Sequence, residues 1–345
     1  MEMAFEAIDE DQPGPKWRAV FDRHWQAYSR WFLRDGARAR PTYLASRRAI
    51  RQKMPELLAS YERIIEVAGG GDLEARFLAM WCPPMYVGGC SQAVLLGKEP
   101  CLIRNYDYSP KLFEGTWLAS RLNGRRVLAM VDCLWGVLDG INEDGLAMSL
   151  SFGGRTAVGR GFGIPIVMRY ALEFARTTPE AVKILCRVPV HMSYTIAIVD
   201  RAGRHATVFV NPDRPAETVD RLVTTNHQRR IEWPRHAEAT LSVERCQTVR
   251  RALGRGVKAP GLLDVFLRPP VFQTSYDRGY GTLYTAVYRP AGTSAELVWP
   301  GQRWRQSCAA FSEGVRSIDL GAPGPSEVPA QAGRRAAASQ CSTSG

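Results

Sequence analysis

Apolar residues recur at helical spacing along the first quarter of the chain. Between residues 16 and 34 the aromatic and aliphatic side chains fall every three or four positions, which predicts an amphipathic helix. A second helix is predicted over residues 45–67, where a run of glycines ends the pattern, and a third over residues 73–80. The pattern therefore predicts a polar leader, residues 1–15, followed by a helical segment, residues 16–89.

The pattern changes after the third predicted helix. Two apolar runs, residues 90–96 and 101–108, flank a cluster of Gly, Lys, Glu and Pro, which predicts a β-hairpin. If the turn is the four residues 97–100, Cys90 lies directly opposite Asp107 on one face, within about 5 Å. A thiol that faces a carboxylate at the end of its partner strand is typical of a nucleophile site rather than of a core.

The rest of the chain alternates between strand-like and helical patterns. Strand-like runs occupy residues 116–121, 126–133, 145–152, 192–200, 205–211, 221–225, 279–288 and 296–299, with a turn over 140–145. Helical patterns occupy residues 164–176, 177–187, 238–253 and 262–268. Two groups of antiparallel strands with helices around them predict a layered α+β domain over residues 90–320. Residues 321–345, rich in Pro, Ala, Ser and Gly, are predicted to form a disordered tail.

The composition argues against several classes of binding partner. The formal net charge of +11 comes from 45 Lys and Arg against 34 Asp and Glu, but the cations are scattered and no nucleic-acid motif occurs. None of the eight cysteines forms a CxxC pair, which argues against zinc and favours reduced thiols in a cytoplasmic protein. The acidic start lacks the features of a secretory signal, and no stretch is long and apolar enough to span a bilayer. We therefore expect no metal, no nucleic acid and no membrane partner.

The residues just before the candidate thiol suggest a specific chemistry. Gly88 and Gly89 allow a close backbone approach and conformations that other residues avoid. If the chain is cut between Gly89 and Cys90, Cys90 gains a free α-amine, whose reference pKa of about 7.7–8.0 suits a general base near neutral pH. Nucleophile and base would then belong to one residue.

Five motifs stand in order along the chain and carry a family resemblance. They are Cys90-Ser91, Arg104-Asn105-Tyr106-Asp107, Gly140-Ile141-Asn142-Glu143-Asp144-Gly145-Leu146-Ala147, Thr225-Asn226-His227 and Gly281-Thr282-Leu283-Tyr284. Over about residues 50–312 the series resembles the cysteine N-terminal-nucleophile hydrolases of the acyl-coenzyme A:6-aminopenicillanate (isopenicillin-N) acyltransferase family. More distantly it is similar to choloylglycine hydrolases and penicillin V acylases. The resemblance implies a four-layer αββα sandwich, no cofactor, and autoproteolysis between Gly89 and Cys90 into chains that stay associated.

The hairpin pattern and the resemblance together suggest roles for four residues. Cys90 attacks an amide carbonyl while its α-amine carries the proton, and water or an acceptor amine resolves the thioester. Asp107 orients the amine, and Arg104 lowers the pKa of the thiol. Asn226 donates its amide to the developing oxyanion, which is worth roughly 3 kcal/mol of barrier. Because Arg104 and Asp107 are three residues apart, strict strand alternation places them on opposite faces, so a bulge or a long reach is required.

Substrate contacts are harder to derive from the sequence. The implied substrate is a small-molecule amide or acyl donor, acyl-coenzyme A included. Candidate substrate-binding residues are Tyr106, Trp135, Ser151, Phe152, His227 and Arg278. Of these, Ser151 and Phe152 lie on the strand that borders the active site in the family, and Arg278 could bind a carboxylate. Whether the enzyme is a hydrolase or an acyltransferase depends on water exclusion, which the sequence does not report.

Two other interpretations stay open at this point. In the first, the chain is an uncleaved cysteine hydrolase or transglutaminase-like enzyme in which His227 activates Cys90. In the second, it is a non-catalytic, Arg-rich binding protein on a degenerate scaffold.

Overall fold

Two β-sheets and the helices around them make up the part of the chain that the computed structural model describes, residues 1–321. The strands are β1 Glu2–Asp9, β2 Gly89–Leu95, β3 Cys101–Tyr108, β4 Thr116–Ser120, β5 Val127–Asp132, β6 Gly136–Asn142, β7 Ala147–Phe152, β8 Tyr194–Val199, β9 His205–Val210, β10 Glu217–Val219, β11 Val223–Thr224, β12 Gly281–Arg289, β13 Ser294–Trp299, β14 Gln302–Ser307 and β15 Gly314–Asp319. The α-helices are α1 Pro15–Phe32, α2 Tyr43–Lys53, α3 Leu58–Ala68, α4 Asp72–Leu78, α5 Ile164–Phe174, α6 Thr178–Arg187, α7 Pro234–Ala239, α8 Ser242–Gly254 and α9 Ala259–Phe266.

The strands form one nine-stranded and one six-stranded sheet. The nine-stranded sheet has the order β10-β9-β8-β7-β6-β5-β4-β1-β15, and the six-stranded sheet has the order β11-β2-β3-β12-β13-β14. All pairs are antiparallel except β1 with β4. Strand β2, which carries Cys90, therefore lies near one edge of the smaller sheet.

Helices cover the outer face of each sheet. Helix α5 packs on β6 and α6 on β9, whereas α8 packs on β2 and α9 on β3. One apolar cluster fills the space between the sheets, and separate clusters join each sheet to its helices. Because β2 is buried on both faces, its sequence does not alternate, and its polar residues Ser91 and Gln92 are buried with hydrogen-bond partners. The predicted four-layer αββα sandwich is confirmed.

The predicted polar leader is wrong, because residues 2–9 form strand β1 inside the nine-stranded sheet. Strand β1 pairs with β15 on one side and with β4 on the other. Phe5 and Ala7 join the cluster between the sheets, while Ile8 joins the cluster under the helices. Residue 90 is therefore not the start of the sandwich, which includes strand β1.

Two predicted helices are each interrupted. The pattern over residues 45–67 is split into α2 and α3, because Pro55 lacks an amide proton and disfavours a helical conformation at Met54 (φ −141°, ψ 58°). The pattern over 238–253 is split into α7 and α8 at Leu241, which has a positive φ of 50°. The turn expected over residues 140–145 starts later, because β6 continues to Asn142.

Within residues 1–321, no helix combines the length and the apolar character needed to cross a bilayer. In the same residues, no cluster of three or more His, Cys, Asp or Glu side chains is arranged to hold a metal ion. Residues 322–345, nearly all of the predicted tail, lie outside the described part of the chain.

Candidate active site

The β2–β3 hairpin has a register that differs by one residue from the prediction. Leu95 pairs with Cys101, so the turn contains five residues rather than four, and Cys90 lies opposite Tyr106. Asp107 lies opposite Gly89. Because a one-residue shift moves side chains to the other face of a sheet, the prediction that Cys90 faces Asp107 is wrong.

Arg104 shares the inner face of the small sheet with Cys90. Its Nη2 donates to Cys90 Sγ at 3.2 Å, and its Nε donates to the Leu150 carbonyl at 3.0 Å. Its Nη1 donates to the Asp139 carboxylate and to the Tyr284 hydroxyl. The β2–β3 ladder is continuous, so Arg104 reaches the sulfur without the bulge that the sequence seemed to require. The guanidinium is fully buried and fixed between the two sheets.

Asp107 lies on the opposite face and is connected to Cys90 through two other side chains. Its Oδ2 is 3.0 Å from Arg245 Nη1, and Arg245 Nη2 donates to Asn226 Oδ1 at 2.6 Å. The Cys90 backbone N–H donates to the same Asn226 oxygen at 3.0 Å. The four residues thus form one buried network that ends on the Cys90 nitrogen.

Arg245 was missed by the sequence analysis, although a signal for it exists. The buried residues of α8 include Ser242, Arg245, Val249 and Ala252, which recur at three- and four-residue spacing. Arg245 is therefore a charged residue at a core position of an amphipathic helix. A buried arginine needs an anionic or carbonyl partner, and Asp107 supplies it.

Asn226 also lies beside the backbone that leads into Cys90. Its Nδ2 donates to the Phe152 carbonyl at 3.2 Å and to the Gly88 carbonyl at 3.4 Å. Its backbone N–H donates to Ser242 Oγ at 2.9 Å, which ties this segment to α8. Ser151 Oγ donates to the carbonyl of residue 225 at 3.0 Å and so holds β7 against the same segment. The amide group is thus fixed next to the Gly89–Cys90 peptide bond.

Burial dominates the ionisation of both the thiol and the carboxyl. Burial raises the pKa of the Cys90 thiol, and the Arg104 charge acts in the opposite direction. Burial also raises the pKa of Asp107, which Arg245 and the Thr282 hydroxyl, 2.7 Å from Oδ1, counteract. In the uncut chain Cys90 is therefore a neutral thiol near pH 7.

A small cavity of ≈ 30 Å³ opens at Cys90. Its lining residues are Tyr86, Gly88, Cys90, Tyr106, Tyr108, Asp132, Leu138, Leu150, Phe152 and Tyr194. Of the predicted substrate-binding residues, Tyr106 and Phe152 lie in this wall. The Arg104 guanidinium packs over the Tyr106 ring at 4.7 Å, so this ring has a structural contact as well.

The other predicted substrate-binding residues are not in the wall of this cavity. Trp135 is fully buried under the helices and donates from Nε1 to the Leu78 carbonyl at 2.9 Å. Arg278 is exposed on a short helical turn. His227 Nδ1 lies 2.9 Å from Ser242 Oγ, and Ser151 braces two segments as described above.

Tyr280 makes an unusually close approach to the residue before Cys90. Its hydroxyl is buried and has no hydrogen-bond partner among the described residues. A Cβ placed on Gly89 would lie 1.7 Å from that oxygen. Gly88 and Gly89 both lack a positive φ, so Gly89 provides space for Tyr280 rather than an unusual backbone conformation.

One protein-family model matches this chain. The family model for acyl-coenzyme A:6-aminopenicillanic acid acyl-transferase matches residues 95–304, which include Arg104, Asp107 and Asn226 but begin after Cys90. Comparison with curated proteins gives no match.

Several solved structures are similar to this chain. A mutant of the conjugated bile acid hydrolase from Clostridium perfringens has a TM-score of 0.47 and 12% identity, covering 67% of this chain and 97% of its own. Penicillin V acylase from Agrobacterium tumefaciens has a TM-score of 0.44 and 15% identity, covering 68% and 92%. The Caenorhabditis elegans ortholog of N-acylethanolamine-hydrolyzing acid amidase has a TM-score of 0.44 and 18% identity, covering 59% and 93%. Because the family model spans more than half of the chain, and in agreement with the resemblance seen in the sequence, the protein belongs to the acyl-coenzyme A:6-aminopenicillanic acid acyl-transferase family.

Proposed function

We propose that this protein is an autoproteolytically activated cysteine amidohydrolase or acyltransferase. It would cleave or transfer an acyl group at a linear amide C–N bond of a small molecule through a thioester on Cys90. The observation that carries the proposal is that separate buried groups hold the two reactive atoms of Cys90. Arg104 donates to the sulfur, and Asn226 Oδ1 accepts from the nitrogen.

The first step is cleavage of the chain itself. Cys90 Sγ attacks the carbonyl carbon of Gly89, the C–N bond to Cys90 breaks, and the thiol proton goes to the departing nitrogen. Water then hydrolyses the Gly89 thioester, which leaves a carboxylate on Gly89 and a free α-amine on Cys90. We expect the two chains to stay associated, because β1 of the first chain lies between β4 and β15 of the second.

Turnover would use the same sulfur with the new amine as proton carrier. The amine takes the thiol proton, the thiolate attacks the substrate carbonyl, and the ammonium returns the proton to the leaving amine. Asn226 Nδ2, which donates to the Gly88 carbonyl in the uncut chain, would donate to the oxyanion. Asp107 would act on Cys90 only indirectly, because Arg245 connects its carboxylate to Asn226 Oδ1.

The contacts of His227 do not favour the uncleaved cysteine–histidine alternative. His227 Nδ1 lies 2.9 Å from Ser242 Oγ and 3.3 Å from Thr225 Oγ1. Burial lowers its pKa, and no histidine among residues 1–321 lines the cavity at Cys90. A general base in contact with the sulfur would therefore have to be the α-amine of Cys90.

Mass analysis of the purified, active protein tests the proposal. We expect two polypeptides, residues 1–89 and residues 90–345, and acyl release from at least one class in a panel of N-acyl amino acids, peptides and β-lactams. An active chain in which residue 89 is still joined to residue 90 would overturn the mechanism. If His227→Ala also abolished that activity, the uncleaved alternative would replace it.

The contact between Gly89 and Tyr280 gives a second prediction. Gly89→Ala should slow self-cleavage by about five- to hundredfold, because the added Cβ has no room beside the Tyr280 oxygen and must displace the Gly89 carbonyl from the sulfur that attacks it. Gly89→Ala combined with Tyr280→Phe should recover part of the rate, because the conflicting oxygen is gone. The fraction of cleaved chain is followed over time, with Gly254→Ala as the control, since that glycine has open space around it. Equal cleavage in Gly89→Ala and Gly254→Ala would contradict this account.

A further inference from the structure

A larger cavity lies next to the one at Cys90. The larger cavity has a volume of ≈ 130 Å³ and shares Tyr86, Tyr108 and Asp132 with the wall around Cys90. Its own wall adds Glu114 and further aromatic side chains of α1. The cavity next to Cys90 thus has two carboxyl groups, Glu114 and Asp132, in its wall.

The two carboxyl groups share one hydrogen-bond partner, the Tyr28 hydroxyl. The Tyr28 hydroxyl lies 2.7 Å from Asp132 Oδ1 and also hydrogen-bonds Glu114 Oε1. Glu114 is only 7% exposed, and its Oε2 has no hydrogen-bond partner among the described residues. An unpartnered carboxyl oxygen in a buried position is costly unless a proton or a cation compensates it.

The backbone that presents this pair is strained. Cys133 and Leu134, in the turn after β5, have positive φ values of 55° and 74° although neither is glycine. Such conformations cost about 1–3 kcal/mol each and persist where the surroundings impose them. Asp132 Oδ1 accepts from the Cys133 N–H at 2.9 Å, and Glu114 Oε1 accepts from the Leu134 N–H at 2.8 Å. The turn therefore fixes both carboxyl groups in the wall of the cavity.

Aromatic rings form much of the remaining wall. Trp31, Tyr86 and Tyr108 line the same space as the two carboxyl groups. The faces of aromatic rings attract cations, by about 0.5–2 kcal/mol depending on desolvation. Carboxylates and aromatic faces together favour an organic cation over a neutral or anionic group.

We propose that this cavity binds an ammonium group carried by the substrate, so that the enzyme acts on amides bearing a positive charge away from the scissile bond. The statement that the ammonium group belongs to a substrate rests on the proposed function of Cys90. Binding of a cation in this cavity does not depend on that function. An amine that serves as the acyl acceptor has the same chemistry, and the experiment below separates it from a cationic acyl donor.

Apart from Lys111, the other ionisable groups in the wall of this cavity are neutral near pH 7. Lys111 is exposed at the mouth, and burial lowers the pKa of His24, which leaves that ring neutral. Burial raises the pKa values of Tyr28 and Cys133, which stay protonated. The Arg104 charge also acts on Asp132, but Asp139 is its direct partner.

This charge state predicts how cation binding depends on pH. Burial and the Asp132 carboxylate raise the pKa of Glu114 to about 8, so near pH 7 Glu114 holds a proton and Asp132 carries the charge. Above pH 8 the pair gains a second negative charge, so cation affinity should rise as pH increases through that value. Affinity for a neutral ligand of the same shape should not rise in this way.

Binding to the full chain carrying Cys90→Ala tests the cavity without turnover. The probes are choline and its uncharged isostere 3,3-dimethylbutan-1-ol, titrated by calorimetry between pH 6 and 9. We expect choline to bind at least about tenfold more tightly, Asp132→Asn to remove most of that preference at all pH values, and Glu114→Gln to remove its rise above pH 8. Glu99→Gln, which changes an exposed carboxylate in the β2–β3 turn, should leave it unchanged. Equal binding of the two probes, or a preference that survives both substitutions, would overturn the proposal.

Turnover by the active protein then tests whether the cation that binds in this cavity is part of the substrate. The kcat/KM values of amides with a terminal ammonium group in the acyl part, in the amine part, or in neither are compared in wild type and in Asp132→Asn. We expect one cationic series to be preferred, with the preference lost in Asp132→Asn through KM. If the cationic acyl donors show no preference and added cationic amines accelerate acyl release, the cavity serves the acceptor. Choline binding without turnover of any amide would count against the function of Cys90 but not against the cation site.

Discussion

Cys90→Ala should yield a single uncut polypeptide that transfers no acyl group. Without the sulfur no thioester forms, either with Gly89 or with a substrate, and loss of a catalytic nucleophile typically costs about 10⁶ in kcat. The fold should survive, because the substitution removes one small side chain from the end of a strand. Intact mass, initial rate of acyl release and trapping of an acyl-enzyme on denaturation provide the three measurements.

Cys101→Ala is the matched control for this variant. Cys101 is a buried cysteine in the same hairpin, but it belongs to the apolar cluster under α8 and α9. We expect Cys101→Ala to be cleaved and active, with a modest loss of stability. A Cys90→Ala protein that still divides after residue 89 or still forms an acyl-enzyme would exclude Cys90 as the nucleophile.

Arg104→Met should lower both the free energy of unfolding and the reactivity of Cys90. Removing one partner of a buried ion pair costs about 3–5 kcal/mol, because the Asp139 carboxylate stays buried without its cation. Among the groups that lower the pKa of Cys90, Arg104 is the largest contributor. Its loss should therefore raise that pKa further and shift alkylation of Cys90 to higher pH. Urea unfolding and peptide-resolved labelling with iodoacetamide measure the two effects.

Arg169→Met is the control that separates the effect of Arg104 on the free energy of unfolding from its effect on the reactivity of Cys90. Arg169 is also fully buried and paired with a buried carboxylate, Glu173, but it lies in α5 on the outer face of the large sheet. We expect a comparable loss of stability with no change in the pH dependence of Cys90 labelling. If Arg104→Met and Arg169→Met had the same labelling profile as the wild type, Arg104 would have only a structural role.

The sequence predicted the layered α+β domain because strand and helix patterns are contiguous, and the family resemblance added the four-layer arrangement. It failed on the hairpin register because Leu96 continues the apolar run, although its side chain is 39% exposed in the turn. It also failed on β1, where the alternation of Met3, Phe5 and Ala7 is present but short and flanked by charges. In both cases neighbouring strands, rather than local preference, decide the structure.

The residues that were missed at the site depend on distant pairings. Arg245 meets Asp107 across 138 residues of sequence, and its only local signal is its place in the helical repeat of α8. Glu114 and Asp132 come together because β4 and β5 pair, and neither carries a motif. A single sequence does not reveal contacts between residues so far apart in the chain, so neither Arg245 nor the pair of Glu114 and Asp132 was predicted.

The position of β1 has a practical consequence for work with this enzyme. Deleting residues 1–9 would leave unpaired hydrogen-bonding edges on both β4 and β15. Exposed edges of this kind recruit strands from other molecules, so a trimmed protein would be prone to aggregate in spite of an intact Cys90. Fusion partners and affinity tags therefore require a spacer ahead of Met1 that leaves this strand free to pair.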